Sequence, residues 1–181
     1  MKNLLILIFL FGGIISKAQT IEPAPTDKAV VYFVRTATMG SLINFTYFDS
    51  AKYIGKFNGP KYTRYVCEPG KHLFWARSEN RDFVEADVEA GKIYFIEAGV
   101  KMGAMKAAVE LIPVDPKDEK RMAKIFKLMN KKSAESFSEA DLSEGAKETK
   151  DIMDKGLAKY NEEKAKAKEN ARLEKTMAYN N

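Results

Sequence analysis

The sequence predicts a mainly β fold: an antiparallel Ig-like or transthyretin-like β-sandwich of seven to eight strands, followed by a C-terminal α-helical extension. Three observations carry this. Short runs rich in aromatic and β-branched residues recur about every ten residues between Ala29 and Val114, separated by turn residues. Two turns of one design, Glu68-Pro69-Gly70-Lys71 and Glu89-Ala90-Gly91-Lys92, each launch an apolar run, His72-Leu73-Phe74-Trp75 and Ile93-Tyr94-Phe95-Ile96. Beyond Pro113 and Pro116 the period changes to that of a helix.

The elements follow in order. Residues 1–18 read as a cleaved export signal: Lys2 precedes an apolar run from Leu4 to Ile15, and Ser16-Lys17-Ala18 offers small residues for a cut before Gln19. A run of 12 residues is short of the roughly 20 needed to cross a bilayer, so no transmembrane segment is expected after cleavage. No Cys ends the run, so a lipoprotein is not expected. Residues 19–28, with Pro23 and Pro25, form an extended lead-in. Strands are expected at 29–35, 42–48, 52–57, 62–67, 72–77, 82–88, 92–98 and 107–114, completing a sandwich domain over 29–114.

Residues 115–181 are the charged helical part. Met122, Ile125, Phe126 and Met129 recur at helical spacing within 117–132, and Ser138-Glu139-Ala140-Asp141 resembles a capping box opening a second helix. Lys155-Gly156 weakens that second stripe, and 161–175 reads as a solvated helix or a partly disordered tail.

Charge and cysteine usage bound the function. Loss of residues 1–18 lowers the formal net charge from +5 to +3, because Lys2 and Lys17 leave without an acid. The remaining charges are well mixed, too weak a field for nucleic acid. Cys67 is the single cysteine, so no intramolecular disulfide forms and stability must come from a core.

The segments Val31-Tyr32-Phe33-Val34-Arg35, Tyr47-Phe48-Asp49 with Tyr53-Ile54-Gly55-Lys56, Glu68-Pro69-Gly70-Lys71-His72 and Val88-Glu89-Ala90-Gly91-Lys92-Ile93-Tyr94-Phe95 carry a likeness. Together they resemble the exported bacterial β-sandwich family catalogued as domain of unknown function 2846, over residues 29–114. The resemblance implies a small sandwich in the cell envelope and carries over no catalytic residue. This chain departs from the family in lacking a lipoprotein Cys and in having Thr36 where the first strand usually runs into Pro.

Several constellations bear chemistry. Cys67 and His72 flank the Glu68–Lys71 turn, where a regular hairpin would place them opposite each other, and an imidazole beside a thiol can generate a thiolate nucleophile. The expected state is a buried Cys67 with His72 at the rim of a strand. Glu85, Asp87 and Glu89 alternate along one strand, with neighbouring carboxylates roughly 6.5–7 Å apart. That spacing suits acid/base pairs, yet the expected role is the wet side of an edge strand. Fourteen aromatics between Tyr32 and Phe95 are assigned to core packing, with Tyr47, Tyr62 and Tyr65 the candidates for exposed stacking. The loop from Gly99 to Lys106 lacks phosphate-binding glycine spacing and reads as a hairpin connection.

The helix at 117–132 is the candidate partner-binding element, through Lys120, Arg121, Lys124, Lys127, Lys131 and Lys132. Its apolar stripe either docks on the sandwich, the favoured expectation, or lies in a lipid headgroup layer. The expected function is a non-enzymatic binding or assembly module of the bacterial cell envelope, periplasmic or extracellular, with an envelope protein, cell wall or lipid surface as partner. No cofactor or metal is expected. The alternatives are an envelope enzyme using Cys67–His72 or the row Glu85/Asp87/Glu89, and a peripheral membrane or cell-wall tether working through 117–132.

Overall fold

The structure, a computed structural model, describes residues 21–102 and 107–180; the expected export signal and residues 103–106 of the Gly99–Lys106 loop lie outside the described residues. Strands β1 (Ala29–Arg35), β2 (Phe45–Asp49), β3 (Lys52–Phe57), β4 (Lys61–Cys67), β5 (Gly70–Arg77), β6 (Arg81–Val88), β7 (Ile93–Met102) and β8 (Ala107–Pro113) are followed by α1 (Glu119–Met129), α2 (Glu139–Glu148), α3 (Lys150–Ala165) and a ninth short strand, β9 (Ala171–Leu173). They form a β-sandwich of two sheets, ordered β4-β1-β7-β8 and β3-β2-β5-β6-β9. Both sheets are mixed. β1 pairs parallel to β7 and β6 pairs parallel to β9, where only antiparallel pairing was expected.

The two glycine-lysine turns explain much of the topology. Neither closes a hairpin. Glu68-Pro69-Gly70-Lys71 carries the chain from β4 in the first sheet to β5 in the second, and Glu89-Ala90-Gly91-Lys92 returns it from β6 to β7. Gly70 (φ +118°) and Gly91 (φ +72°) occupy backbone conformations that L side chains rarely adopt, which lets the chain swing between layers. The local grammar of a tight reversal is therefore real, but it reverses the chain across the core.

The inter-sheet core takes alternate residues of each strand. Ala29, Val31 and Phe33 of β1 face it, with Phe45, Tyr47, Phe74, Val84, Tyr94 and Leu111. The other residues of β1, Val30, Tyr32 and Val34, face outward and are just as buried. They meet Phe95, Met122, Ile125 and Met129, so α1 covers the outer face of the first sheet. On the second sheet, Phe48, Tyr53, Trp75 and Phe83 are covered by Met153, Leu142, Ala146, Ile152 and Tyr160 from α2 and α3. A sheet covered on both sides reads as a continuous apolar run, which is why Val-Val-Tyr-Phe-Val lacks strict alternation.

The helices start as their sequences dictate. Ser138 caps α2 with a reciprocal capping box to Asp141, and Asp118 accepts from the Arg121 backbone N–H at the start of α1. The segment after α3 departs from the expected solvated tail. Leu173 is 1% exposed and belongs to the inter-sheet core. The chain then passes through a 3-10 turn at Lys175–Met177, and the Tyr179 N–H donates to the Ile93 carbonyl at 2.8 Å. The C-terminal segment thus straps one sheet to the other. Among the described residues, no helix is long and apolar enough to cross a membrane.

Candidate functional site

The basic helix is the first site. Its apolar residues Met122, Ile125 and Met129 are buried against the first sheet, with Phe126 packed edge-on to Phe95. Docking therefore consumes the stripe that a lipid-inserted helix would need, and the headgroup-layer alternative for that stripe is corrected. The helix spans Glu119–Met129, shorter than the expected 117–132: Lys120, Lys124 and Lys127 are exposed on one face by their helical spacing, and Lys131 and Lys132 are exposed in the turn that follows. Among the described residues, none of these five ammonium groups takes part in an ion pair. Arg121 behaves differently: it bridges Glu97 on β7 and Asp118, so it clamps the helix to the sheet. Thr36 also hydrogen-bonds Glu97.

The Cys67–His72 pair is not a cross-strand pair, because β4 pairs with β1 and β5 with β2 and β6. The two residues sit on different sheets. They remain neighbours across the sheet-switching turn, and the Cys67 side chain adds to the rise of the His72 pKa. The sequence offered no orienting carboxylate; the fold supplies Asp49 at the end of β2. His72 Nδ1 donates to Asp49 Oδ2 at 2.7 Å, Nε2 donates to the Glu68 carbonyl at 2.8 Å, and the Tyr65 hydroxyl donates to the same Asp49 oxygen at 3.0 Å. Hydrogen bonding to Asp49, with a further contribution from the neighbouring Cys67, outweighs burial and raises the His72 pKa to about 10. At neutral pH the ring is an imidazolium with both N–H groups engaged, so it is not available as a general base. Cys67 is 6% exposed.

The acidic row takes a different place from the one expected. β9 pairs alongside β6, so β6 is not an edge strand. Glu85 accepts from the Tyr160 hydroxyl of α3 at 2.8 Å and lies 3.9 Å from Arg172; Asp87 lies 3.8 Å from Lys175. Glu89 falls beyond the end of the strand in the exposed turn and stands apart from the other two. Glu85 and Asp87 floor a groove of about 710 Å³ between β5, β6, α3 and the C-terminal strap. Lys71, Lys164, Arg172, Glu174 and Lys175 line it beside them, and His72 contributes to the lining while its ring stacks on Phe74 at the inter-sheet face. The sequence marked Glu85, Asp87 and His72 separately. The groove itself was invisible, because residues 172–176 carry no motif and reach it only through the β9 pairing.

The exposed-aromatic candidates are corrected. Tyr47 is fully buried and stacks on Phe57 at 4.7 Å, Tyr62 is buried against Tyr32, and Tyr65 is half-buried against Phe33 and Phe74. Burial pushes the hydroxyl pKa of both Tyr47 and Tyr65 up, and the neighbouring Asp49 carboxylate adds to the rise at Tyr65. Sequence reading missed Arg35, which is fully buried at the end of β1. Its guanidinium donates to the carbonyls of Gly40 and Ile43, each at 2.6 Å, and lies 4.0 Å over the Phe45 ring. Burial lowers its pKa. This arginine organises the connection from β1 to β2 as a main-chain clasp.

No family model and no curated protein matches the chain, so the likeness over residues 29–114 rests on its turn and strand motifs alone.

Proposed function

We propose that this protein is a non-enzymatic binding module of the bacterial cell envelope, exported by its N-terminal signal, and that it attaches to anionic surfaces through the outer face of α1. The supporting observation is the division of labour on that helix. Met122, Ile125 and Met129 anchor it to the sandwich, while Lys120, Lys124 and Lys127 on its outer face, and Lys131 and Lys132 in the turn after it, project unpaired into solvent. Ammonium groups clustered on a fixed helix backbone gain from a polyanionic surface without any folding of the chain. The contact is electrostatic, since the apolar stripe is already spent.

The rival reading, an envelope enzyme, meets two obstacles. The His72 imidazolium already donates both its protons, and Glu89 stands apart from Glu85 and Asp87, in the exposed turn beyond β6.

Co-sedimentation with anionic vesicles and with purified cell-wall sacculi tests the proposal. The protein should pellet with one of them at low salt and release as salt rises. The triple variant Lys120→Glu/Lys124→Glu/Lys127→Glu should stay in the supernatant, while Arg121 is left to clamp the helix. If the native protein pellets with neither, the attachment reading fails.

A further inference from the structure

We propose that the groove between α3, β6 and the C-terminal strap binds a short zwitterionic peptide, its ammonium groups on Glu85 and Asp87 and its terminal carboxylate on the basic rim. The proposal rests on the reading of the protein as a binding module and names a second, separate site for it.

Size and layout come first. At about 710 Å³ the groove lies within the range of small-ligand sites, roughly 300–1,000 Å³. Its floor is β6, where Glu85 and Asp87 share a face two residues apart, so their carboxylates sit roughly 6.5–7 Å from each other. An N-terminal lysine presents two ammonium groups on a flexible four-carbon stem and can address both. Around this acidic floor stand Lys71 from β5, Lys164 from α3, and Arg172 and Lys175 from the strap. Glu174 is the one acid of the rim, against four bases, so a ligand with cations at one end and an anion at the other matches a site with acids at the centre and a mainly basic edge.

The charges are open to exchange. Arg172 approaches Glu85 only to 3.9 Å and Lys175 approaches Asp87 only to 3.8 Å, and these four side chains are between 33% and 72% exposed. Pairs this long and this wet contribute little to stability, so ligand ammonium groups can replace them at low cost. The firm bond on the floor is different. The Tyr160 hydroxyl donates to Glu85 at 2.8 Å and itself accepts from Lys164 at 3.4 Å, which fixes one carboxylate oxygen and leaves the other toward the groove. His72 turns its ring to the opposite, inter-sheet face, stacked on Phe74 and pinned to Asp49 and Glu68, so it does not compete for the floor. The β5–β6 hairpin, α3 and the strap hold these groups in place before any ligand arrives.

Isothermal titration of the protein with the tripeptide Lys-Ala-Ala tests this. The free peptide should bind with a Kd of about 1 mM or tighter, and N-acetylation or C-amidation should each weaken it about tenfold. Binding should fall steeply with salt. Glu85→Gln/Asp87→Asn should abolish measurable binding; should that variant lose its folded near-ultraviolet signal from Trp75, Lys164→Gln and Asp87→Asn singly provide the same readout. Absence of binding to the native protein at about 10 mM peptide, or equal affinity for the blocked peptides, overturns the proposal. Pelleting with vesicles or sacculi reads the α1 face and not this groove, so the two proposals fail independently.

Discussion

Gly156 of α3 lies directly on the indole of Trp75: a Cβ at that position would come within 2.7 Å of Cζ3. Trp75 in turn stacks on Phe48 at 4.0 Å and donates its ring N–H to the Ser50 carbonyl at 2.9 Å, so the ring cannot retreat. Gly145 makes the same kind of approach to Tyr53 from α2. Gly156→Ala gains about 1 kcal/mol of helix propensity but overpacks the site by about 1–3 kcal/mol. The expected net result is a loss of about 1 kcal/mol with a shifted Trp75 emission, read by urea denaturation. A stabilised variant with unchanged emission would show that α3 does not rest on the ring.

The His72–Asp49 pair makes stability depend on pH. The folded pKa of about 10 stands above the ordinary 6.5, so the protonated ring favours the folded state. This contribution is complete below about pH 6.5 and is lost as pH rises through 10. It amounts to roughly 2–4 kcal/mol, below the ceiling of about 1.4 kcal/mol per pKa unit because water reaches part of the pair. Urea midpoints of the native protein and of His72→Gln should differ at pH 6 and converge near pH 10.5. A constant difference across that range would mean that the ring is neutral in the folded protein.

Leu173 gives the strap its weight. Leu173→Ala should cost about 2–5 kcal/mol, as expected for emptying a core site, whereas Arg172→Ala at its exposed neighbour should stay within about 0.5 kcal/mol. Equal and small effects would return residues 166–180 to the status of a loose tail.

Cys67 reports on the rival enzyme reading. With 6% of the residue exposed, the thiol should label with a maleimide only as fast as the protein opens, so labelling should accelerate in parallel with the urea transition. Rapid native-state labelling would revive Cys67 as a nucleophile.

Arg35 should be intolerant of lysine. Its planar fork reaches the Gly40 and Ile43 carbonyls together while lying on Phe45, and an ammonium cannot reproduce that geometry. Arg35→Lys should cost about 1–3 kcal/mol and should speed proteolytic nicking near Leu42, which is 88% exposed. Unchanged nicking would mean that the connection holds its shape without the clasp.

Elements defined by local chemistry were legible in the sequence alone. The β-rich half, the positions of eight strands to within a few residues, the docking stripe of α1 and the capping box of α2 all follow from side-chain period and turn residues, which act over a few residues of chain. What the tertiary structure decided is which element meets which. Whether Glu68–Lys71 closes a hairpin or crosses between sheets depends on the partner of β4, which is β1, from Arg35↔Lys61 to Ala29↔Cys67, and local propensity is the same in either case. Asp49 orients His72 because β2 happens to pair with β5. Gly156 looks like a defect in a helix and is the point of closest approach to Trp75. The groove needs β9, three residues without a sequence signal, to settle beside β6 and bring Arg172 and Lys175 over Glu85 and Asp87. Such juxtapositions are set by burial of surface shared between distant segments, and no window of the sequence contains both halves of them.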